Sequence, residues 1–231
     1  MDTHVKQAER IQTSFINNAE RRALVWLAER QPRWVTSDML TLVGVAGALL
    51  TGLGFFLTRY GIDWLWLSVA GLAVNWYGDS LDGTLARVRN CQRPIYGYYL
   101  DHTIDCVNEA LMFIGAGLSP LVHLDLALGV FILYLCLTIN VSINAHLKSE
   151  FRLTYAKLGP TEFRIIIAAA CMVVMLFPTL GGYALHLGGD MYTFLDLLTM
   201  LLIVALTAIY ISTIVADARK YAKADPPKKA K

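Results

Sequence analysis

Polar and apolar positions divide this chain sharply. The first 38 residues are polar or amphipathic, and long apolar runs then follow one another almost to the carboxy-terminus. The runs predict helical spans at about 39–58, 64–87, 98–120, 121–147, 161–180 and 191–215. Ahead of them, Phe15, Ala19, Ala23 and Leu27 recur every four residues, while Arg21, Arg22 and Arg30 fall elsewhere on the helical wheel. Such a helix suits the headgroup layer, its arginines meeting anionic lipid, and equally suits packing on the cytoplasmic ends of the spans. No short apolar core near Met1 points to a cleaved leader. The pattern therefore predicts an all-α polytopic membrane protein with six transmembrane helices and an N-terminal amphipathic interfacial helix. The expected division is a cytoplasmic amphipathic segment at 1–38, a six-helix transmembrane domain at 39–217 and a basic cytoplasmic tail at 218–231. The tail's Asp225-Pro226-Pro227-Lys228-Lys229 reads as disordered. No internal repeat or second domain is visible.

Composition sharpens this. Of 231 residues, 56% are hydrophobic and 16% charged, and mean hydropathy is +0.49. A soluble domain carries about 45–50% apolar and about 25% charged residues, so a water-soluble enzyme and a disordered chain are both excluded. Cys91, Cys106, Cys136 and Cys171 are too few for a disulfide scaffold and lack metal-site spacing; they read as reduced thiols or small packing residues. A net charge of +2 excludes a nucleic-acid binder. The charges are nevertheless unevenly placed. With six spans, the termini and the second–third and fourth–fifth loops hold all but one of the 20 basic residues, the exception being Arg59. Basic loops stay cytoplasmic, so both termini are expected there.

The acids carry the chemistry. Asp79 and Asp82 lie near the cytoplasmic end of the second predicted span, Asp101 and Asp105 near the start of the third. One such acid could sit at the screened interface, but four at helical spacing mark a functional site. At about 100° per residue, Asp79, Asp82, Gly83 and Ala86 share one helical face, as do Gly97, Asp101 and Asp105. Only a short loop separates the two spans, which are expected to be antiparallel neighbours. Two facing pairs of carboxylates would repel unless cations sat between them. Hard divalent ions, Mg²⁺ or Mn²⁺, suit an all-carboxylate shell, and two metals about 3.5–4 Å apart clamp phosphoryl groups. Gly83, Ala86 and Gly97 would let a nucleotide or pyrophosphate approach the backbone, although taken alone such residues suit close helix packing better.

The run Asp79-Ser80-Leu81-Asp82-Gly83-Thr84-Leu85-Ala86-Arg87, nine residues, Gly97, three residues, Asp101, three residues, Asp105 resembles the signature of the CDP-alcohol phosphotransferase (CDP-alcohol phosphatidyltransferase) family, D-x-x-D-G-x-x-A-R…G-x-x-x-D-x-x-x-D. Every fixed position matches. The resemblance implies an integral membrane enzyme of phospholipid biosynthesis. Such enzymes cleave the pyrophosphate of a CDP-linked alcohol, release CMP and join the phosphoryl group to an acceptor hydroxyl. It further implies that Asp79, Asp82, Asp101 and Asp105 bind two divalent metals, with Asp105 the leading general base. Gly83, Ala86, Arg87 and Gly97 would then line the cytidine and phosphate pocket, and the chain would form a homodimer. Arg87 equally reads as a snorkelling span-end arginine. One departure stands out: where members often carry Pro-Asn-Leu-Thr entering the first span, this chain has Ser37-Asp38-Leu40-Thr41 around Met39, retaining only Leu-Thr.

Donor and acceptor stay open on these residues. His102 within Asp101-His102-Thr103-Ile104-Asp105, and Gly159-Pro160-Thr161-Glu162, resemble the choline and ethanolamine phosphotransferase branch, whose acceptor is diacylglycerol. A His102–Glu162 pair would then serve as the base. Equally, Glu162 reads as a helix cap and His102 as an interface histidine. The other branch uses CDP-diacylglycerol and a polar, often phosphorylated acceptor. Lys148, Arg152, Lys157 and Arg164 would answer such an acceptor, and the positive-inside bias alone would also put them there. Asn140, Asn144 and Lys148 recur every four residues and suit either an acceptor pocket or interhelical hydrogen bonds. Loop basicity and the habit of compact family members favour CDP-diacylglycerol. A cation channel or transporter is the alternative from another class; acids crowded at one end rather than across the bilayer disfavour it.

Overall fold

The computed structural model describes residues 9–11, 17–148, 150–152, 159–181, 185–187 and 189–227. Eight helices carry almost all of them: α1 (Asn17–Glu29), α2 (Ser37–Leu57), α3 (Leu65–Val88), α4 (Pro94–Gly117), α5 (Leu124–Lys148), α6 (Pro160–Leu176), the single turn α7 (Pro178–Gly181) and α8 (Phe194–Ala224). Short strands complete them. β1 (Glu9–Ile11) pairs parallel with β2 (Glu150–Arg152), Arg10 opposite Phe151. β3 (Leu185–Leu187) pairs antiparallel with β4 (Asp190–Tyr192).

Local chemistry sets the helix ends. Thr36 caps α2, its Oγ1 accepting from Met39 N at 3.2 Å. Proline opens α4 and α6, where its missing N–H costs nothing. The sixth apolar run ends near residue 215, yet α8 continues to Ala224, because Asp217, Arg219, Lys220 and Lys223 are compatible with a helix that has left the apolar layer. Part of the expected tail is therefore helical. The fifth run, expected to reach residue 180, instead breaks at Phe177, the residue that Pro178 drives out of the helical region.

Helices α2 and α3 approach at backbone contact. A Cβ on Gly78 would strike Gly44 N and Leu40 O, and one on Gly47 would strike the backbone of Asn75. Only glycine permits this approach. Asn75, fully buried, donates to Gly44 O at 2.9 Å across the seam. On its other side α2 meets α4, Gly52 against Gly115. Three apolar cores surround this unit. Leu24 and Ala28 of α1 pack with Leu40, Leu81 and Leu85, Phe55, Leu65, Leu121 and Val174 close the opposite end, and Val130, Leu137 and Leu206 join α5 to α8.

Segments Ser37–Tyr60, Leu124–Ala145 and Phe194–Ala224 are long and apolar enough to cross a membrane. Their outer faces expose large apolar side chains, among them Leu201 at 66% and Val204 at 67%, which suits contact with lipid. The chain is an integral membrane protein with an all-α fold. Helices α3 and α4 are diluted by acids, and α6 has 17 residues.

Candidate active site

The last turns of α3 and the first turns of α4 lie at one end of the molecule; in place of the direct packing expected between these two helices, α2 packs against both. There Asp79, Asp101 and Asp105 each present a carboxylate oxygen, all within 4.8 Å of one another. Periodicity explains the convergence: Asp101 and Asp105 are one turn apart on α4, and the tight α2–α3 seam at Gly44 and Gly78 fixes the depth of Asp79 beside them. Asp101 is the most open, with 47% of its side chain accessible.

Asp82, the fourth acid of the motif, is turned towards α2. Its Oδ2 accepts from Thr41 Oγ1 at 2.6 Å and its Oδ1 from Gly83 N. It remains within electrostatic reach of Asp79 and Asp101. The retained Leu40-Thr41 of the first helix thus gains a purpose, since Thr41 fixes the orientation of Asp82, and Ser37 Oγ adds a bond to Asp82 O at 2.9 Å. Sequence reading missed that role, although the departure at Ser37-Asp38 drew attention to the segment.

Arg164, on the first turn of α6, donates from Nη2 to Asp79 Oδ2 at 2.6 Å. Its guanidinium also lies within electrostatic reach of Asp105, Glu109 and Tyr134. Glu109 continues the Asp101–Asp105 stripe by one more turn, and among the described residues its buried Oε2 has no hydrogen-bond partner. The same four-residue period that marks Asp101 and Asp105 could have found it.

The other expected residues sort as follows. A Cβ on Gly97 would meet nothing within 4 Å, and one on Gly83 would meet only Arg87 Nη1 at 3.4 Å. Neither glycine serves close helix packing, and the space beside both is open. Ala86 lies in the last turn of α3, its carbonyl accepting from Cys91 N at 3.0 Å. Arg87 is exposed and donates to Thr84 Oγ1 at 2.9 Å. Its neighbour Arg89 instead ties α3 to the segment before α2, donating to the carbonyls of Gln31, Pro32 and Val35.

His102 stacks on Tyr98, ring centroids 4.1 Å apart, with Nδ1 3.0 Å from Tyr98 O. A carbonyl only accepts, so the neutral ring carries its proton on Nδ1 and its lone pair on Nε2. Glu162 caps α6: its Oε2 accepts from Gly159 N at 2.9 Å, while its buried Oε1 has no partner among the described residues. Asn140 and Asn144 both donate to Asp217 of α8, at 3.3 and 2.8 Å, and Tyr221 donates to Asn144 Oδ1 at 2.6 Å. Their amides are therefore engaged in interhelical bonds. Lys148 ends α5 and Arg152 lies on β2, but the side chains of both fall outside the described residues, as does Lys157.

Facing carboxylates of this kind repel unless a cation neutralises them. Hard oxygen donors from two helices are of the kind that could hold a divalent ion, and the space beside Gly83 and Gly97 is open.

Comparison with known proteins places the chain in a family. Cholinephosphotransferase 1 of Bos taurus is 28% identical over 170 residues, covering 68% of this chain and 39% of the bovine protein. Phosphatidylinositol phosphate synthase of Cutibacterium acnes is 36% identical over 84 residues, 36% of this chain and 38% of that protein. Archaetidylinositol phosphate synthase of Pyrococcus horikoshii is 34% identical over 93 residues, 39% of this chain and 45% of that protein. The chain thus spans less than half the length of each of these relatives. Residues 34–216, nearly everything from the entry of α2 to the last turns of α8, match the family model for CDP-alcohol phosphatidyltransferase. The chain belongs to the CDP-alcohol phosphatidyltransferase family.

Proposed function

We propose that the protein is a divalent-metal-dependent CDP-alcohol phosphotransferase of phospholipid biosynthesis. It transfers a phosphatidyl (or phospho-alcohol) group from a CDP-linked donor to an acceptor hydroxyl and releases CMP. The observation that carries this reading is the meeting of Asp79, Asp101 and Asp105 within 4.8 Å, inside a chain of this family. These three acids, with Asp82 beside them, would hold Mg²⁺ or Mn²⁺. When bound, such ions supply positive charge to the pyrophosphate and to the departing CMP.

The chain's own residues do the rest. Gly83, Ala86 and Gly97 leave a path for the donor, and the planar fork of Arg87 takes a phosphate. The acceptor oxygen attacks the phosphorus that bears the donor's alcohol; the bond from that phosphorus to the CMP oxygen breaks, and CMP leaves with the electron pair. Asp105, one turn deeper along α4 than Asp101, takes the acceptor's proton on its carboxylate. His102 is the alternative base, with its lone pair on Nε2; Tyr98 O holds its Nδ1, and the expected partner Glu162 caps α6 instead. Lys148, Arg152 and Arg164 would meet a phosphorylated acceptor.

We take α2, α3, α4, α5, α6 and α8 as six spans, with both termini and the site on the cytoplasmic side, α1 at the membrane surface, and the chain a homodimer. The domain limits stay at 1–38, 39–217 and 218–231.

CDP-diacylglycerol is the donor we favour, since the phosphatidylinositol phosphate synthase named above matches at a higher identity than the cholinephosphotransferase, 36% against 28%. A second reading has its own support: the match to the bovine cholinephosphotransferase runs over 170 residues, against 84 and 93 for the other two, which favours CDP-choline or CDP-ethanolamine as donor and diacylglycerol as acceptor. The test is CMP release by purified protein with Mg²⁺ or Mn²⁺, given CDP-diacylglycerol or CDP-choline and a panel of acceptors, with mass spectrometry of the lipid products. CMP from CDP-choline alone selects the second reading. No CMP from any donor, together with ion flux in liposomes lacking nucleotide, replaces both with a channel.

A further inference from the structure

Glu20 lies on α1, outside the stretch that carries the acids, yet its Oε1 accepts hydrogen bonds from two other helices. Trp76 Nε1 of α3 donates at 2.8 Å and Thr161 Oγ1 of α6 at 2.6 Å. Each donor stands three residues, close to one helical turn, before a member of the candidate site: Trp76 before Asp79, Thr161 before Arg164. Arg164 Nη2 completes the ring on Asp79 Oδ2 at 2.6 Å. The ring therefore runs Glu20, Trp76, Asp79, Arg164, Thr161 and back to Glu20, with three helices held at one level. Hydrogen bonds to a carboxylate are stronger and shorter than neutral ones, so one oxygen can fix both partners. The apolar packing of Leu24 and Ala28 against Leu81 and Leu85 docks α1 on α3. It does not reach α6, and the bond to Thr161 does.

We propose that Glu20 is a positioning residue: it sets the first turn of α6 against α3 and so holds the Arg164 guanidinium on Asp79, which makes α1 a working part of the site. This deepens the reading of the acid cluster as the donor-activating centre and rests on it. A Glu20 that only docked α1 would lower stability when removed and leave the turnover of folded molecules alone.

The experiment uses the purified full chain with the substitutions Glu20→Ala, Glu20→Gln, Thr161→Val, Arg164→Gln and the Glu20→Ala/Arg164→Gln pair. It measures steady-state CMP release and, without substrate, backbone hydrogen exchange over residues 159–170. Glu20→Ala is expected to lower kcat about tenfold or more while the donor KM stays within about threefold. Glu20→Gln keeps Oε1 as an acceptor and is expected to restore kcat to within about threefold of the parent. The paired variant is expected to be no slower than Arg164→Gln alone, since both changes break one unit. Exchange over 159–170 rises in Glu20→Ala and Thr161→Val and not in Glu20→Gln. Wild-type turnover in Glu20→Ala, losses that multiply in the paired variant, or unchanged exchange would each overturn the proposal. A parent protein that releases no CMP from any donor sinks the reading of the site instead, while the exchange comparison still decides the coupling.

Discussion

Acidic side chains gather at both ends of the helices, and the two ends treat them differently. At the end where α4 gives way to α5, a single acid, Asp196, is fully buried. Its oxygens take Thr193 N at 2.9 Å and both His123 N and His123 Nδ1 at 2.7 Å, and its own N–H returns to Thr193 Oγ1 at 3.1 Å. At the other end Asp79, Asp101 and Asp105 crowd within 4.8 Å, and Glu109 follows with a buried oxygen that meets no partner among the described residues. An acid surrounded by donors holds the fold together: it caps α8 and anchors the α4–α5 connection. Acids crowded against one another repel, and the fold holds them in place with one cation of its own, Arg164 on Asp79.

The largest separation between the ends is expected in activity. Asp105→Asn should lower CMP release about a thousandfold or more, with the melting temperature unchanged or raised as repulsion falls. A variant that keeps the parent rate removes Asp105 from the chemistry. Asp196→Ala should do the reverse. It strands the His123 donors and uncaps α8, which costs about 3 kcal/mol of stability, while CMP release per folded molecule stays at the parent level. A loss of rate in the folded fraction would show that the two ends are coupled and that the contrast is false.

A divalent ion should distinguish them again. At about a hundred times its dissociation constant, Mn²⁺ should stabilise the parent by about 2.7 kcal/mol, and a chelator should abolish CMP release. Both Asp79→Asn and Asp105→Asn should erase the stabilisation, and Asp196→Ala should keep it. An increment that survives in Asp105→Asn would place the ion elsewhere. Smaller still is Thr41→Val, which removes the hydroxyl that holds Asp82 at 2.6 Å. A hydrogen bond to a charged group is worth about 1.5–3 kcal/mol, so a rate loss of about tenfold is expected, and wild-type turnover would show that the orientation of Asp82 does not matter.

The acidic end was largely legible in the sequence, and the other was not. A four-residue period puts Asp101 and Asp105 on one face of α4, which is a local rule; what brings that face to Asp79 is α2, which packs against both α3 and α4. Thr41 and Arg164 needed tertiary contact to find their partners, 41 and 85 residues away. Asp196 could be read only as a capping acid from Thr193; that His123, 73 residues earlier, completes its shell is a long-range fact. The helix limits follow the same logic. Apolar runs mark where lipid would be, so α8 extends beyond its run, whereas backbone chemistry at Phe177-Pro178 ends α6 before its run does.

The smallest effect on the fold is expected at Gly97, and it tests whether open space at the acidic end is used. A Cβ there meets nothing within 4 Å, unlike one at Gly78, which would strike the backbone of α2. In the first turns of α4, alanine is favoured over glycine by up to about 1 kcal/mol. Gly97→Ala should therefore leave the melting temperature unchanged or raise it slightly. If the donor passes this point, the added methyl occupies its path, and the donor KM should rise about threefold to tenfold with kcat less affected, as expected for a lost approach rather than a lost catalytic group. Stability and donor affinity would then move in opposite directions at one residue, which a glycine retained for packing cannot produce; an unchanged KM would remove Gly97 from the donor's path.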